Sequence, residues 1–513
     1  MPTKTSRKTS KPKQAAARGP SVTVRMYRHG LGDCFLLTMP KVDGSSFYMM
    51  IDCGLIQGAK GDAEDKLRGA IVDIIKTTNG RVDVFVGTHE HYDHLSGLLE
   101  FEDLFAGLSG GPADGKLSFG GVWVSWSENP KEPLARKLSA ERAKAIQGLQ
   151  AAVSAVNKLG LDDDVSRTTA DGVDQLLGFF GVGGGKGRKP LDQMGAVRKL
   201  APSPDAIRYC RPDDAPWESP QVKGIRIYTL GPPMSEARIK QTLVKREVYD
   251  AAGEAAAAES FFTMAMSTAE VPGADSDTQD LYFPFNRDYR IPLEDLKALV
   301  ESGELEDRQS SFARFFGRYY WGTDSSASYP DQTWRRIDGD WLGAARTFAL
   351  KLDSATNNTS LVLAIEIVDS GKVLLFAADA QVGNWLSWQD VSWKLEGNKV
   401  VTGPDLLNRT VFYKVGHHGS HNATLKEKGL ELMRSEELIA FLPVNKAMAM
   451  DKRWTRMPLP SLVEALDERA KGRVVRIDED YDPAKQRGAQ GGSAADFKKR
   501  LKTTDLYHEI EIA

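Results

Sequence analysis

The chain has 513 residues, 41% of them hydrophobic and 27% charged, with a formal net charge of -3. This is a globular composition with length for roughly two or three domains, or for one domain with large insertions; it excludes the global positive field of a nucleic-acid packaging protein, so any phosphate contact is local. Three cysteines, Cys34, Cys53 and Cys210, exclude a disulfide framework, and no uncharged apolar run reaches the ~18 residues of a membrane span, so a cytoplasmic location with no membrane partner is expected.

Residues 1–21 carry Lys4, Arg7, Lys8, Lys11, Lys13 and Arg18 without the apolar core of a secretory signal. A disordered basic tail is expected, a phosphate-binding arm being the alternative. Val22 to Met26, Cys34 to Thr38 around Gly30-Leu31-Gly32, and Ser46 to Asp52 predict an opening antiparallel meander. A helix is predicted over 62–77, then a turn at Asn79-Gly80 and a short buried strand over 82–86.

From 104 to 343 the pattern loosens. A strand is predicted over 122–126, a helix over 139–159 and a strand over 224–230, with the Gly-rich basic loop Gly183 to Lys189 between them. Lys186, Arg188 and Lys189 could wrap a phosphodiester, although such loops are usually only flexible. Residues 251–279, rich in Ala, Ser, Glu and Asp, predict a mobile insertion open to proteases. Strands are predicted again over 360–367, 372–376 and 410–415, with polar residues gathered at their C-terminal ends, where layered α/β folds assemble sites. A helix over 459–468 and strands over 473–477 and 506–512 complete the chain, and no internal repeat is evident.

The chemistry concentrates in Thr88-His89-Glu90-His91-Tyr92-Asp93-His94. His89 and His91 alternate on an extended chain and so point to one side, while Asp93 and His94 can turn toward a second metal. Eight histidines in 513 residues would give this spacing by chance only about 0.002 times, before the aspartate is asked for. The ordinary alternative is a surface His-rich turn.

With its H-x-H-x-D-H motif at His89, His91, Asp93 and His94, the sequence resembles the metallo-β-lactamase superfamily. The resemblance implies an α/β, four-layer αββα fold with a large central insertion and a dinuclear site. In that plan 22–105 and 345–513 are the two halves of the domain and 106–344 is elaboration. Two dications need an anion between them, and Asp379, just past an apolar strand, fits as the bridging carboxylate; capping of a following helix is the competing role. Ala378 stands where the family usually has Gly.

The remaining imidazole is expected from Gly416-His417-His418-Gly419-Ser420-His421-Asn422. Strand parity with Tyr413 and Val415 favours His417 over His418 as the ligand. Asp52 is expected to orient a ligand histidine, and Asp33 to be a turn residue. Gly30 to Cys34, Ile51 to Gly54, Asn357 to Ser360, Lys414 to Ser420, and Pro458 to Leu466 with Arg476 to Asp480 further resemble the metallo-β-lactamase domain of bacterial competence DNA-internalisation proteins. Two departures stand out: Met457 replaces a histidine common before the late Pro, and no histidine lies between His94 and His417. The first metal therefore lacks a third imidazole, and Asn357, Asn358, a solvent molecule or His418 must complete it, or the site binds one metal weakly.

The resemblance implies hydrolysis by a hydroxide held between two divalent ions, zinc first, manganese or iron(II) otherwise. Asp93 would hold the nucleophile, and His418 or His421 would serve the leaving oxygen. The implied substrate is a phosphodiester in DNA or RNA; a lactone, β-lactam or phosphocholine-type ester is the alternative, and a scaffold with a structural metal a third. Relatives of this kind act in bacterial anti-phage defence, some beside a trypsin-like protease, so an activating protease cutting within 251–279 is a further expected partner.

Overall fold

The computed structural model describes residues 20–59, 61–109, 114–159, 164–182, 192–242, 244, 246–248, 298, 311, 314–321, 341–489 and 493–513. The expectations for 1–19, for Lys186, Arg188 and Lys189, and for 251–279 lie outside the described residues.

The chain is mixed α/β and builds two large mixed sheets. The first holds β1 (Val22–Tyr27), β2 (Cys34–Pro40), β3 (Ser46–Cys53), β4 (Arg81–Gly87), β5 (Ser118–Ser125), β6 (Ile207–Cys210), β16 (Lys502–Thr503) and β17 (Tyr507–Ile512). The second holds β7 (Trp217–Ser219), β8 (Val222–Gly231), β9 (Val362–Ile367), β10 (Lys372–Phe376), β13 (Thr410–Lys414), β14 (Ile439–Leu442) and β15 (Val474–Arg476); β11 (Ser392–Lys394) and β12 (Val400–Thr402) form a separate hairpin. Spatial order is β16-β17-β1-β2-β3-β4-β5-β6 in the first sheet and β15-β14-β13-β10-β9-β8-β7 in the second. The expected meander is present: β1, β2 and β3 pair antiparallel, and β4 then joins β3 in parallel.

Alternation along the strands decides the layers. Val22, Val24, Met26, Phe35, Leu37, Met49 and Ile51 of the first sheet share one core with Leu363, Ile365, Leu374, Phe376, Ile439 and Phe441 of the second, so the sheets pack face to face. Leu36, Met50 and Phe85 point the other way, onto Leu67, Ile71 and Ile74 of helix Ala63–Thr78 and Leu95 and Leu98 of helix Tyr92–Glu100. Beyond the second sheet, Leu375, Tyr413 and Ala440 meet Trp385, Leu406 and Leu462 from helices Val382–Ser387, Gly403–Asn408 and Pro460–Arg469. Each such buried side chain contributes roughly 1.5–3 kcal/mol of transfer free energy.

Two features of the sheets go beyond the sequence plan. Residues 106–344, expected as elaboration, supply β5 and β6 to the first sheet and β7 and β8 to the second. β5 and β8 answer the strands expected over 122–126 and 224–230, while β6 and β7, of four and three residues, are too short for alternation to mark them. Residues 345–513 contribute to both sheets, since β17 pairs with β1 from Val22↔Ile512 to Tyr27↔Tyr507.

Both sheets present the C-terminal ends of β4, β10 and β13 to one region. The β4 exit is tied to the strand that follows from across the chain: Leu361 N–H donates to the Thr88 carbonyl at 2.9 Å. The helix starting at Tyr92 fits against Cys53-Gly54 with no room to spare, since a Cβ at Gly54 would lie 2.2 Å from the Asp93 carbonyl carbon.

Candidate metal centre

The histidine loop follows β4 directly, where Asp52, in left-handed backbone (φ 55°) at the end of β3, accepts Thr88 N–H at 2.9 Å and the Thr88 hydroxyl at 2.7 Å. Asp33 N–H and His94 N–H donate to the Asp93 and His91 carbonyls, and these bonds turn the chain into the helix. From the second sheet, Asp379 follows β10 and His417-His418 follow β13, which pairs with β10 in parallel, so both loops leave on the same side.

His89, His91, Asp93, His94, Asp379 and His418 are all at most 1% exposed. One ligand atom each from Asp93, His94, Asp379 and His418 lies within 4.8 Å of all the others. Residues distant in sequence therefore meet.

Hydrogen bonds fix which nitrogen of each ring is left. Because its own proton goes to Asp52, the Thr88 oxygen accepts His89 Nδ1–H at 3.1 Å, leaving a lone pair on Nε2. His94 Nδ1–H donates to Asp52 Oδ2 at 2.8 Å, and His418 Nδ1–H to the Pro443 carbonyl at 2.6 Å. The freed nitrogens face other acceptors: His94 Nε2 is 3.2 Å from Asp379 Oδ2, and His418 Nε2 is 2.8 Å from Asp93 Oδ2. His89 Nε2 lies 3.1 Å from His91 Nδ1.

Buried acceptors facing acceptors repel unless a cation lies between them. Two ligands of a tetrahedral ion with bonds of about 2.0–2.2 Å are themselves ~3.3–3.6 Å apart; the His94–Asp379 pair at 3.2 Å comes near this, and the His418–Asp93 pair at 2.8 Å is closer. Asp93 Oδ1, His94 Nε2 and Asp379 Oδ2 are buried with no hydrogen-bond partner. These residues fit a divalent metal.

The titration behaviour has the same origin. Burial, with His94 and His91 adjacent, pushes His89 well below its ordinary range. Burial likewise brings His91 down to about 3, so both rings are held in the neutral form that a metal requires. At His94 burial is outweighed by Asp379, Asp33, Asp93 and Asp52, which raise it well above the ordinary value, and Asp93 raises His418; without a metal these two rings take up a proton, the cation their facing carboxylates call for. Against burial, His94 and Lys414 hold Asp379 well below the usual carboxylate range.

Several expectations need correction. His418, not His417, joins the four converging residues. Strand parity fails because the strand ends at Lys414 and both histidines adopt left-handed backbone (φ 44° and 51°). His417 instead lies with Nδ1 3.2 Å from Gln381 Nε2. With Nδ1 on Pro443 and Nε2 on Asp93, His418 has no atom left for the leaving oxygen. His421 sits half-buried in the next turn, outside the converging set.

Asn358 does not join the converging residues, since its amide donates to the Ile239 and Gln241 carbonyls and its oxygen accepts Asn384 N–H. Asn357 Nδ2 donates to Asp353 at 3.2 Å, next to the site. Asp33 is more than a turn residue: it is buried and ion-paired with Lys414.

Four participants escaped the sequence reading. Lys414, 1% exposed at the end of β13, looked like one more strand residue. Asp353 sets its carboxylate 3.8 Å from His91 Nε2, and Phe179 and Phe180 pack on the His91 ring with centroids 5.3 and 5.0 Å away. Only the helical spacing from Asp353 to Asn357 hinted at this group. No family model matches the chain, and no curated protein matches it. Among the described residues no helix is long and apolar enough to cross a membrane.

Proposed function

We propose that this chain is a metal-dependent hydrolase of the metallo-β-lactamase fold that cleaves phosphodiesters in nucleic acid. The observation that carries the reading is the convergence of buried, mutually facing acceptors from residues 89–94, 379 and 418 at the strand ends of two face-to-face sheets. Helical layers outside both sheets support the fold assignment. Zinc is the first choice for an all-N/O set, with manganese or iron(II) next.

Bound there, the ions would polarise the scissile phosphoryl group and let water attack near neutral pH. The chain's part is to hold the ligands still and dry. Asp52 fixes the His94 ring and, through Thr88, the His89 ring; the Pro443 carbonyl fixes His418. Phe179 and Phe180 shield His91 from water, and Phe179 is itself stacked on Trp454 at 5.4 Å. His421, in the turn after His418, is the imidazole this reading assigns to the leaving oxygen.

A second reading, a small-molecule ester or lactone hydrolase, is favoured by one feature. A cavity of about 530 Å³ lined by Leu138, Arg142, Ile239, Phe348, Leu352 and Thr356 adjoins the metal loop, and Arg142 Nη2 donates to Glu90 at 2.6 Å. Metal-loaded protein incubated with single- and double-stranded DNA, RNA and a generic aryl phosphodiester separates the two. Cleavage that a chelator abolishes and added metal restores is expected; no phosphodiester cleavage, with turnover of a lactone, would replace the nuclease by the second reading.

A further inference from the structure

Lys414 stands where it controls one ligand. Its ammonium, 2% exposed, donates to the Ala378 carbonyl at 2.9 Å and to Asp379 Oδ1 at 3.3 Å, and is ion-paired with Asp33. His417 N–H donates to the same Asp379 Oδ1 at 3.0 Å. Both lone pairs of that oxygen are therefore taken, and only Oδ2, facing His94, is left to bind a metal. Any bridge to a second ion would have to run through that single oxygen, with the Lys414 ammonium beside it.

The consequence is unequal half-sites. Asp93, His94, Asp379 and His418 make a complete set of two carboxylates and two imidazoles, whose charge offsets a dication. His89 and His91 are two neutral rings, with Asp353 turned to the outer nitrogen of His91.

We propose that Lys414 is a positioning residue that keeps Asp379 a one-oxygen ligand of the Asp93–His94–His418 ion, so that the centre binds one ion tightly and a second, at His89–His91, weakly and exchangeably. The proposal rests on the metal reading above and says nothing of substrate. The ammonium also adds a fixed positive charge beside the ions, which disfavours the second dication further.

The test is a chelator-buffered zinc titration of the full chain, with bound zinc counted by mass spectrometry. The first equivalent should fill at free zinc on the order of 10- to 100-fold below the second. His89→Ala should keep the first and lose the second, and His418→Ala should lose the first. Lys414→Met, if circular dichroism shows it folded, should narrow the gap, and Lys414→Arg should largely preserve it.

Two equivalents filling together in the wild type, or loss of the first in His89→Ala, would overturn the proposal even if Lys414→Met fails to fold. Phosphodiester cleavage by a protein with two equally tight ions would leave the hydrolase standing and remove this inference alone. No bound zinc under any condition would remove both.

Discussion

The two adjacent histidines after β13 each have Nδ1 engaged, and they divide on whether the ring joins the residues that converge with Asp93, His94 and Asp379, as His418 alone of the two does. His418 gives its Nδ1 proton to Pro443 and turns Nε2 onto Asp93, whereas His417 turns Nδ1 to Gln381. His418→Ala should therefore cost tightly bound metal and at least about 100-fold in hydrolysis, while His417→Ala keeps its metal. Paired metal analysis and rate measurement check this; metal loss in the His417 variant alone would reverse the assignment. Asp52→Ala removes the acceptor of His94 Nδ1–H and of Thr88, and a fall of roughly 10- to 100-fold in zinc affinity is expected from a competition titration with a chelator.

At the scale of elements, legibility followed local pattern. The H-x-H-x-D-H run is contiguous and sits on one loop, so spacing alone placed it; Asp379 was found because an apolar strand ended just before it. What the sequence hid was set by contacts between distant elements. Positive φ at His417 and His418 reversed an argument from strand parity, and Lys414 and Asp33 acquire their roles only when β13 comes beside the β1–β2 turn. Inside 106–344 the longer strands β5 and β8 were legible, whereas β6 and β7, of four and three residues, are too short for alternation to mark them. One glycine carries a prediction of its own. Gly54→Ala would drive a methyl into the Asp93–His94 backbone, and a loss of roughly 1–3 kcal/mol or more is expected from the denaturant midpoint of the metal-free protein.

Across the whole molecule the centre joins two sheets whose other shared surface is the core between them. Ions held by the loops after β4 of one sheet and after β10 and β13 of the other would bind the folded chain and not the unfolded one. At a hundredfold excess over Kd such binding adds about 2.7 kcal/mol, so removing metal with a chelator should lower Tm by a few degrees and readdition should restore it. An unchanged melting curve would mean the loops are held by protein contacts alone.

The central claim is that buried acceptors from both sheets face one another because a cation belongs between them. An anomalous-scattering map of crystals grown with zinc tests this directly. The account predicts a peak about 2.0–2.2 Å from His94 Nε2, His418 Nε2, an Asp93 oxygen and Asp379 Oδ2. A map with no peak among these four residues, or with zinc bound only elsewhere on the chain, would contradict it.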